Sequence, residues 1–203
     1  MYQIITDTSA LFTPEQGKAM GIEVLPLSVT IGDWEGRDLL MDMPKFYGYI
    51  KDGHLPQSSQ PPIGEVIDAY EKHSGKKIIN IAMADGLSGT YQSAAGAAEA
   101  VDNSEDIVVI NTKTLCGPHR YIVQKAVKMQ QEGKSFEEAL DTRCFEPDGP
   151  NWTPRISGMF TFGEKLTYKM SILKSADPEG SACNRFTFSY SALSGLGHFI
   201  HTY

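Results

Sequence analysis

The sequence predicts an α/β fold for residues 1–142, a largely parallel sheet with helices on both faces, followed by an atypical or incomplete segment over residues 143–203. Three observations carry this reading. Apolar runs such as Ile78-Ile79-Asn80-Ile81-Ala82 alternate with helix-patterned stretches separated by Gly, Pro and Asp, the sequence form of repeated βα units. The charge balance changes at the same point: residues 1–142 hold 20 acids and 12 bases, whereas residues 143–203 hold 5 and 6. Past residue 142 neither the helical nor the strand period is sustained.

The elements follow in order. Gln3 to Thr6 reads as a first strand ending at Asp7-Thr8-Ser9, and Thr13-Pro14-Glu15 opens a helix with a capping hydroxyl and a proline at its first position. Gly21 closes it. Residues 23–31 alternate like a strand, with Pro26 placing it at an edge or a bulge because proline donates no ladder hydrogen bond. A short helix is expected from Met43-Pro44 to Ile50. A loop follows, then a helix over Pro62 to Ser74 with Ile63, Val66, Ile67 and Tyr70 on one face. Ile78 to Ala84 reads as a central buried strand, and a helix begins near Thr90. Ile107 to Asn111 forms a strand, Tyr121 to Gln131 a helix closed by Gly133, and Ser135 with Glu138 opens one more through a capping box. In the tail, Thr161 to Leu173 fits a strand pair or an amphipathic helix, and Arg185 to Tyr190 a strand.

Composition narrows the function. With 18 Lys+Arg against 25 Asp+Glu the net charge is −7, and the one basic doublet, Lys76-Lys77, falls short of the cluster that nucleic-acid phosphates require. No apolar run is long enough to span a bilayer, and the N-terminus meets Asp7 before any signal-peptide core could form, so a cytoplasmic protein without stable membrane insertion is expected. Cys116, Cys144 and Cys183 form no CxxC pair and read as reduced thiols; scattered histidines, including His198 and His201, lack the companion ligands of a zinc site, so no metal is expected.

The strongest motif is Asp85-Gly86-Leu87-Ser88-Gly89-Thr90-Tyr91-Gln92-Ser93, set between the buried strand and the small-residue helix Ala94-Ala95-Gly96-Ala97-Ala98. A glycine-bearing strand-to-helix turn offers backbone N–H groups and a helix dipole to an anion, and Ser88 and Thr90 add hydroxyls. A simple helix cap remains open at this point. GxSxG fails because Thr90 stands where the second Gly belongs, and His54, His73 and His119 occupy no distinctive sequence setting for a triad. No GK[ST] follows a glycine-rich turn, so a Walker A loop is absent. The loop Leu55-Pro56-Gln57-Ser58-Ser59-Gln60-Pro61-Pro62 presents neutral donors suited to a carboxylate or phosphate, with a capped helix start as the alternative. Asp7-Thr8-Ser9, more simply an N-cap turn, could meet both loops at one sheet edge.

Taken in order, Ile4-Ile5-Thr6-Asp7-Thr8-Ser9, Val24-Leu25-Pro26-Leu27-Ser28-Val29, Ser58-Ser59-Gln60-Pro61 and Gly86-Leu87-Ser88-Gly89-Thr90-Tyr91-Gln92-Ser93-Ala94 closely resemble the DegV family. The resemblance covers residues 1–142, the first lobe. It implies a bacterial protein of the kind that binds a fatty acid between two α/β lobes, several of which present the lipid to a separate ATP-dependent fatty acid kinase subunit. Carried over by motif, the implied carboxylate ligands are Ser58 (where threonine is usual), Ser59, Ser88, Gly89 and Thr90, with no cofactor and no catalytic residue. Pro62, and Ala84-Asp85 before the glycine, depart from the family pattern. Residues 143–203 show nothing like the family's second lobe, and a frame-shifted or truncated second lobe is the expectation there.

That absence has an energetic cost. Burying about fifteen methylenes of a long-chain acid yields on the order of 12 kcal/mol gross at ~0.8 each, so a lobe that keeps the head-group clamp without full chain burial is expected to bind weakly and to leave an apolar face open. The alternatives are an enzyme that handles a phosphate or an acyl group at the Gly86–Thr90 anion site, or a truncated product without activity.

Overall fold

The computed structural model describes residues 2–140 and, further on, the backbone of three strands at 152–155, 167–174 and 185–191. The chain separates into two compact units, Met1–Phe145 and Glu146–Tyr203.

The first unit is built on a four-stranded parallel sheet. β1 (Gln3–Asp7) lies between β2 (Glu23–Leu25) and β6 (Ile78–Ala82), and β7 (Ile107–Asn111) adds to the far side of β6, giving the order β2-β1-β6-β7. Every residue of β1 and β6 is buried, because each strand has helices on both faces. Ile4, Val24, Ile79 and Ile81 pack with Ile122, Val123, Ala126 and Val127 of α5 (Cys116–Gln131). Their neighbours in sequence, Ile5, Leu25 and Ile78, turn to the other face, against α3 (Ile63–Lys72) and α4 (Thr90–Glu99). α1 (Pro14–Met20) starts on the full capping box of Thr13 and Gln16 and docks on β2 through Gly17, where a Cβ would lie 2.4 Å from Val24 Cγ2. α6 (Phe136–Ala139) starts on the matching Ser135–Glu138 box.

The expected strand over 23–31 is divided at Pro26. β2 belongs to the parallel sheet, whereas β3 (Ser28–Ile31) leaves it to form a separate antiparallel sheet, β4-β3-β5, with β4 (Trp34–Arg37) and β5 (Gln57–Ser59). β4 and β5 fall where no strand was expected. α2 (Met43–Lys51) is close to expectation and buries none of its residues. α5 starts five residues before the expected Tyr121, and Gly117-Pro118 in its first turn accounts for the difference, since these residues mask the helical pattern.

In the second unit β8 (Trp152–Arg155), β9 (Thr167–Lys174) and β10 (Arg185–Ser191) form an antiparallel sheet in the order β10-β9-β8. β10 matches the expected strand at 185–190. Of the expected element at 161–173, residues 167–173 lie in the single strand β9, and 161–166 fall outside the described residues.

Candidate functional site

The sheet order fixes where a ligand belongs. From β1 the chain goes to β2 on one side and later to β6 on the other, so the carboxyl ends of β1 and β6 flank a topological switch point, the usual binding crevice of an open parallel sheet. A narrow cavity of about 10 Å³ opens here, with Thr6, Asp7, Asn80, Thr90 and Ser93 among its polar lining and Pro61 and Val66 on its apolar side.

Asp7 closes the end of β1. Its buried carboxylate accepts the N–H of Ser9 at 2.9 Å and the N–H of Met83 at 3.1 Å, which ties the ends of the two central strands together. Asn80 is spent inside the core: its amide donates to the Tyr70 hydroxyl at 2.7 Å, and that hydroxyl donates to Ala94 O at 3.1 Å. Burial pushes the Tyr70 phenol up to about 12, against the opposing hydrogen bond from Asn80.

Across the crevice, α4 begins at Thr90 with Gly89 in the cap position and no side-chain cap from Gly89 itself. Ser88 supplies it: Ser88 Oγ accepts the Thr90 N–H at 3.2 Å and lies 2.9 Å from Thr90 Oγ1. The cap does not consume the hydroxyl proton of Ser88, so capping and donation to an anion are compatible. Thr90 is buried, Ser88 half-buried and Gly89 exposed. Asp85 is exposed as well.

The loop before α3 reaches the same place. A Cβ on Gly89 would come within 2.7 Å of Gln60 Oε1, so the Gln60 side chain lies directly over the Gly89 backbone, while Pro61 lines the cavity. Gln60, one residue beyond the expected ligands, is thus the link between the two expected loops. Ser58 and Ser59 sit in β5, both exposed. The register pairs Ser58 with Val29 and Ser59 with Ser28, so the two side chains leave opposite faces of the small sheet. Arg37 shares the Ser59 face and hydrogen-bonds Ser28 Oγ and the Glu65 carboxylate.

One constellation escaped sequence reasoning. His119, fully buried on α5, lies with Nδ1 2.9 Å from Ser9 Oγ and Nε2 3.1 Å from Ile81 O. Burial holds its pKa below the ordinary imidazole value, against the opposing influences of the Asp7 carboxylate and the Ile81 carbonyl. Cys116 is half-buried, and burial, then Asp38 and Asp7, push its thiol up; Cys144 and Cys183 lie outside the described residues. Among the described residues no group of three His, Cys, Asp or Glu could hold a metal ion, and no helix is long and apolar enough to cross a membrane.

Polar groups from the loop after β1, the loop before α3 and the start of α4 thus meet at the switch point of a parallel α/β sheet. The family model "Uncharacterised protein, DegV family" matches residues 1–143, and the model "IMP cyclohydrolase-like protein" matches residues 99–203. The chain belongs to the DegV family through the first of these stretches and to the IMP cyclohydrolase-like family through the second. Within their overlap, β7 and α5 are integral to the parallel-sheet unit. A DegV domain-containing protein of Staphylococcus aureus is 36% identical over 140 residues, 68% of this chain and 50% of that protein. The crystal structure of DegV, a fatty acid binding protein from Bacillus subtilis, superimposes with TM-score 0.61 at 30% identity over 70% of this chain and 51% of that one. A stearic acid-binding protein from Eubacterium ventriosum shares the fold with TM-score 0.67 at 22% identity, over 91% of this chain and 71% of that one. The chain spans about half the length of the curated relatives it matches.

Proposed function

We propose that the first unit binds a long-chain fatty acid by its carboxylate, with Ser88, Gly89 and Thr90 at the start of α4 and Ser58 and Ser59 in β5 as ligands. The observation that carries this is the seat of Gln60 over Gly89, which joins the two ligand loops beside the switch-point cavity. The start of α4 supplies a helix dipole and hydroxyl donors of the right sign for an anion. The Bacillus subtilis relative, reported as a fatty acid binding protein, supports the choice of ligand. On this reading the lobe is a cytoplasmic binding module without a cofactor. It presents the carboxylate to a separate ATP-dependent kinase subunit, as the motif resemblance implies and the likeness in fold to the fatty acid kinase B3 protein of Streptococcus pneumoniae supports.

Ser88→Ala tests the clamp. A hydrogen bond to a charged group contributes ~1.5–3 kcal/mol, so fatty-acid affinity should fall about ten- to hundredfold in a titration calorimetry or fluorescent fatty-acid displacement experiment. Unchanged affinity would remove Ser88 from the site.

A second reading concerns the tail. The match of residues 99–203 to an IMP cyclohydrolase-like model favours a segment of another family read in its own frame over a shifted DegV frame. On this view residues 1–142 are a DegV lobe and the join lies near residue 143. Sequencing genomic DNA across the join tests it: a second-lobe DegV sequence in another frame immediately downstream would restore the frame-shift origin.

A further inference from the structure

We propose that Ser9 is a nucleophilic serine with His119 as its general base, able to take an acyl group from an activated acyl compound such as a thioester. Ser9 Oγ and His119 Nδ1 are 2.9 Å apart, the separation of a nucleophile and its base. The proton positions follow from the partners. Nε2 lies 3.1 Å from the Ile81 carbonyl oxygen, which only accepts, so the neutral ring carries its proton on Nε2. The Thr6 hydroxyl, 3.2 Å from the same nitrogen, already donates to Ile81 O at 2.8 Å and is left to accept as well. Nδ1 is therefore the bare lone pair, and Ser9 donates its hydroxyl proton to it.

Ile81 O and Thr6 orient the ring as a carboxylate does in a Ser-His-Asp triad. His119 is wholly buried and is held neutral by that burial, which keeps it able to accept a proton. Ser9 is half-buried on the 3-10 turn Thr8–Ala10 that follows β1, two residues from Asp7 in the cavity wall. The Asp7 carboxylate favours the imidazolium that forms on attack. No GxSxG pattern surrounds Ser9, because the turn that exposes it is a 3-10 turn and its base comes from α5, which packs against that turn.

In the step, Ser9 Oγ bonds to the carbonyl carbon and the carbon–sulfur bond breaks. The Ser9 proton passes to Nδ1 and then to the departing thiolate, leaving an acyl ester on Ser9, a free thiol and a neutral ring. Attack by water on that ester, with the proton again taken by Nδ1 and returned to Ser9 Oγ, releases the carboxylic acid. The class of acyl group rests on the fatty-acid reading above; the pairing of Ser9 with His119 does not.

The full chain, treated with p-nitrophenyl butyrate, is followed by intact mass and peptide mapping. One butyryl group on Ser9 is expected, absent in Ser9→Ala. In His119→Gln, which keeps an amide able to donate to Ile81 but cannot take up a proton, the acylation rate should drop by about a hundredfold or more, with an unchanged circular dichroism spectrum. In the wild type the rate should rise with pH through the acid range and level off before neutrality. Should His119→Gln fail to fold, that profile decides: a rate with no inflection below neutrality overturns the proposal. Equal labelling of other serines, or of Ser9→Ala, overturns it too. Palmitate binding measured on the same proteins separates the two readings. Binding retained by Ser9→Ala with acylation lost assigns the chemistry to Ser9, whereas acylation without any palmitate binding would remove the fatty-acid reading and leave this one.

Discussion

Residue His119 couples the fold to pH. Burial lowers its folded-state pKa below the ordinary 6.5, against Asp7 and the Ile81 carbonyl, so the unfolded chain takes up the proton first as the solution is acidified. Its contribution to stability is complete above 6.5 and declines as pH falls toward the folded-state value. Urea denaturation at neutral and mildly acid pH should show this loss, and His119→Gln should flatten it. Glu23 acts lower on the scale: partial burial raises its pKa, but hydrogen bonds from Lys72 and His73 outweigh that and lower it, so its contribution is present above the ordinary 4.5 and fades below. At Gly89, alanine would force the Gln60 amide aside, and Gly89→Ala is expected to weaken fatty-acid binding while leaving the melting temperature nearly unchanged. The Gly89 turn was legible because a glycine-flanked strand-to-helix turn is a local pattern. His119 was not, because its partner Ser9 lies 110 residues away in sequence and nothing near either residue marks the pair.

Among elements, helix starts were the most legible. Thr13 and Ser135 each form the full reciprocal box with Gln16 and Glu138, a device that is local in sequence and so survives any tertiary arrangement. Thr13→Ala should cost about 1 kcal/mol, read as a shift in the urea midpoint at constant m-value. The strands of the small sheet were illegible. β4 and β5 are four and three residues long with no sustained alternation, and they exist because β3, once past Pro26, leaves the parallel sheet and needs new partners. That register has a consequence at the site. Ser58 and Ser59 point to opposite faces, so Ser58→Ala and Ser59→Ala should differ in fatty-acid affinity, with one near wild type; equal losses would mean that β5 rearranges when ligand binds.

On the scale of the whole molecule, apolar surface is left open on the first unit. Met43, Tyr47 and Ile50 recur on one face of α2, which buries no residue, and Leu55 just beyond it is 83% exposed. An exposed apolar face of this kind favours association with a second apolar surface. Concentration-dependent self-association is expected in sedimentation velocity, reduced when Tyr47 and Ile50 are replaced by polar residues. A strictly monomeric chain across the micromolar range would show that the face is tolerated uncovered. The charge step near residue 142 was visible in sequence, since composition needs no coordinates, whereas the second family, whose match runs over residues 99–203, was not read from the tail's residues.

By itself the sequence determined the α/β class of the first unit, the order of its main strands and helices, and the turn at Ser88 to Thr90. Each of these is set by local physics: hydrophobic period, helix capping, and hydroxyl and glycine residues at a strand-to-helix turn. The tertiary structure decided what long-range pairing controls. It moved β3 out of the parallel sheet, laid Gln60 over Gly89, sent Ser58 and Ser59 to opposite faces, and buried His119 beneath Ser9. Those contacts join residues far apart in the chain, and a buried polar side chain must find its hydrogen-bond partner wherever the fold brings one.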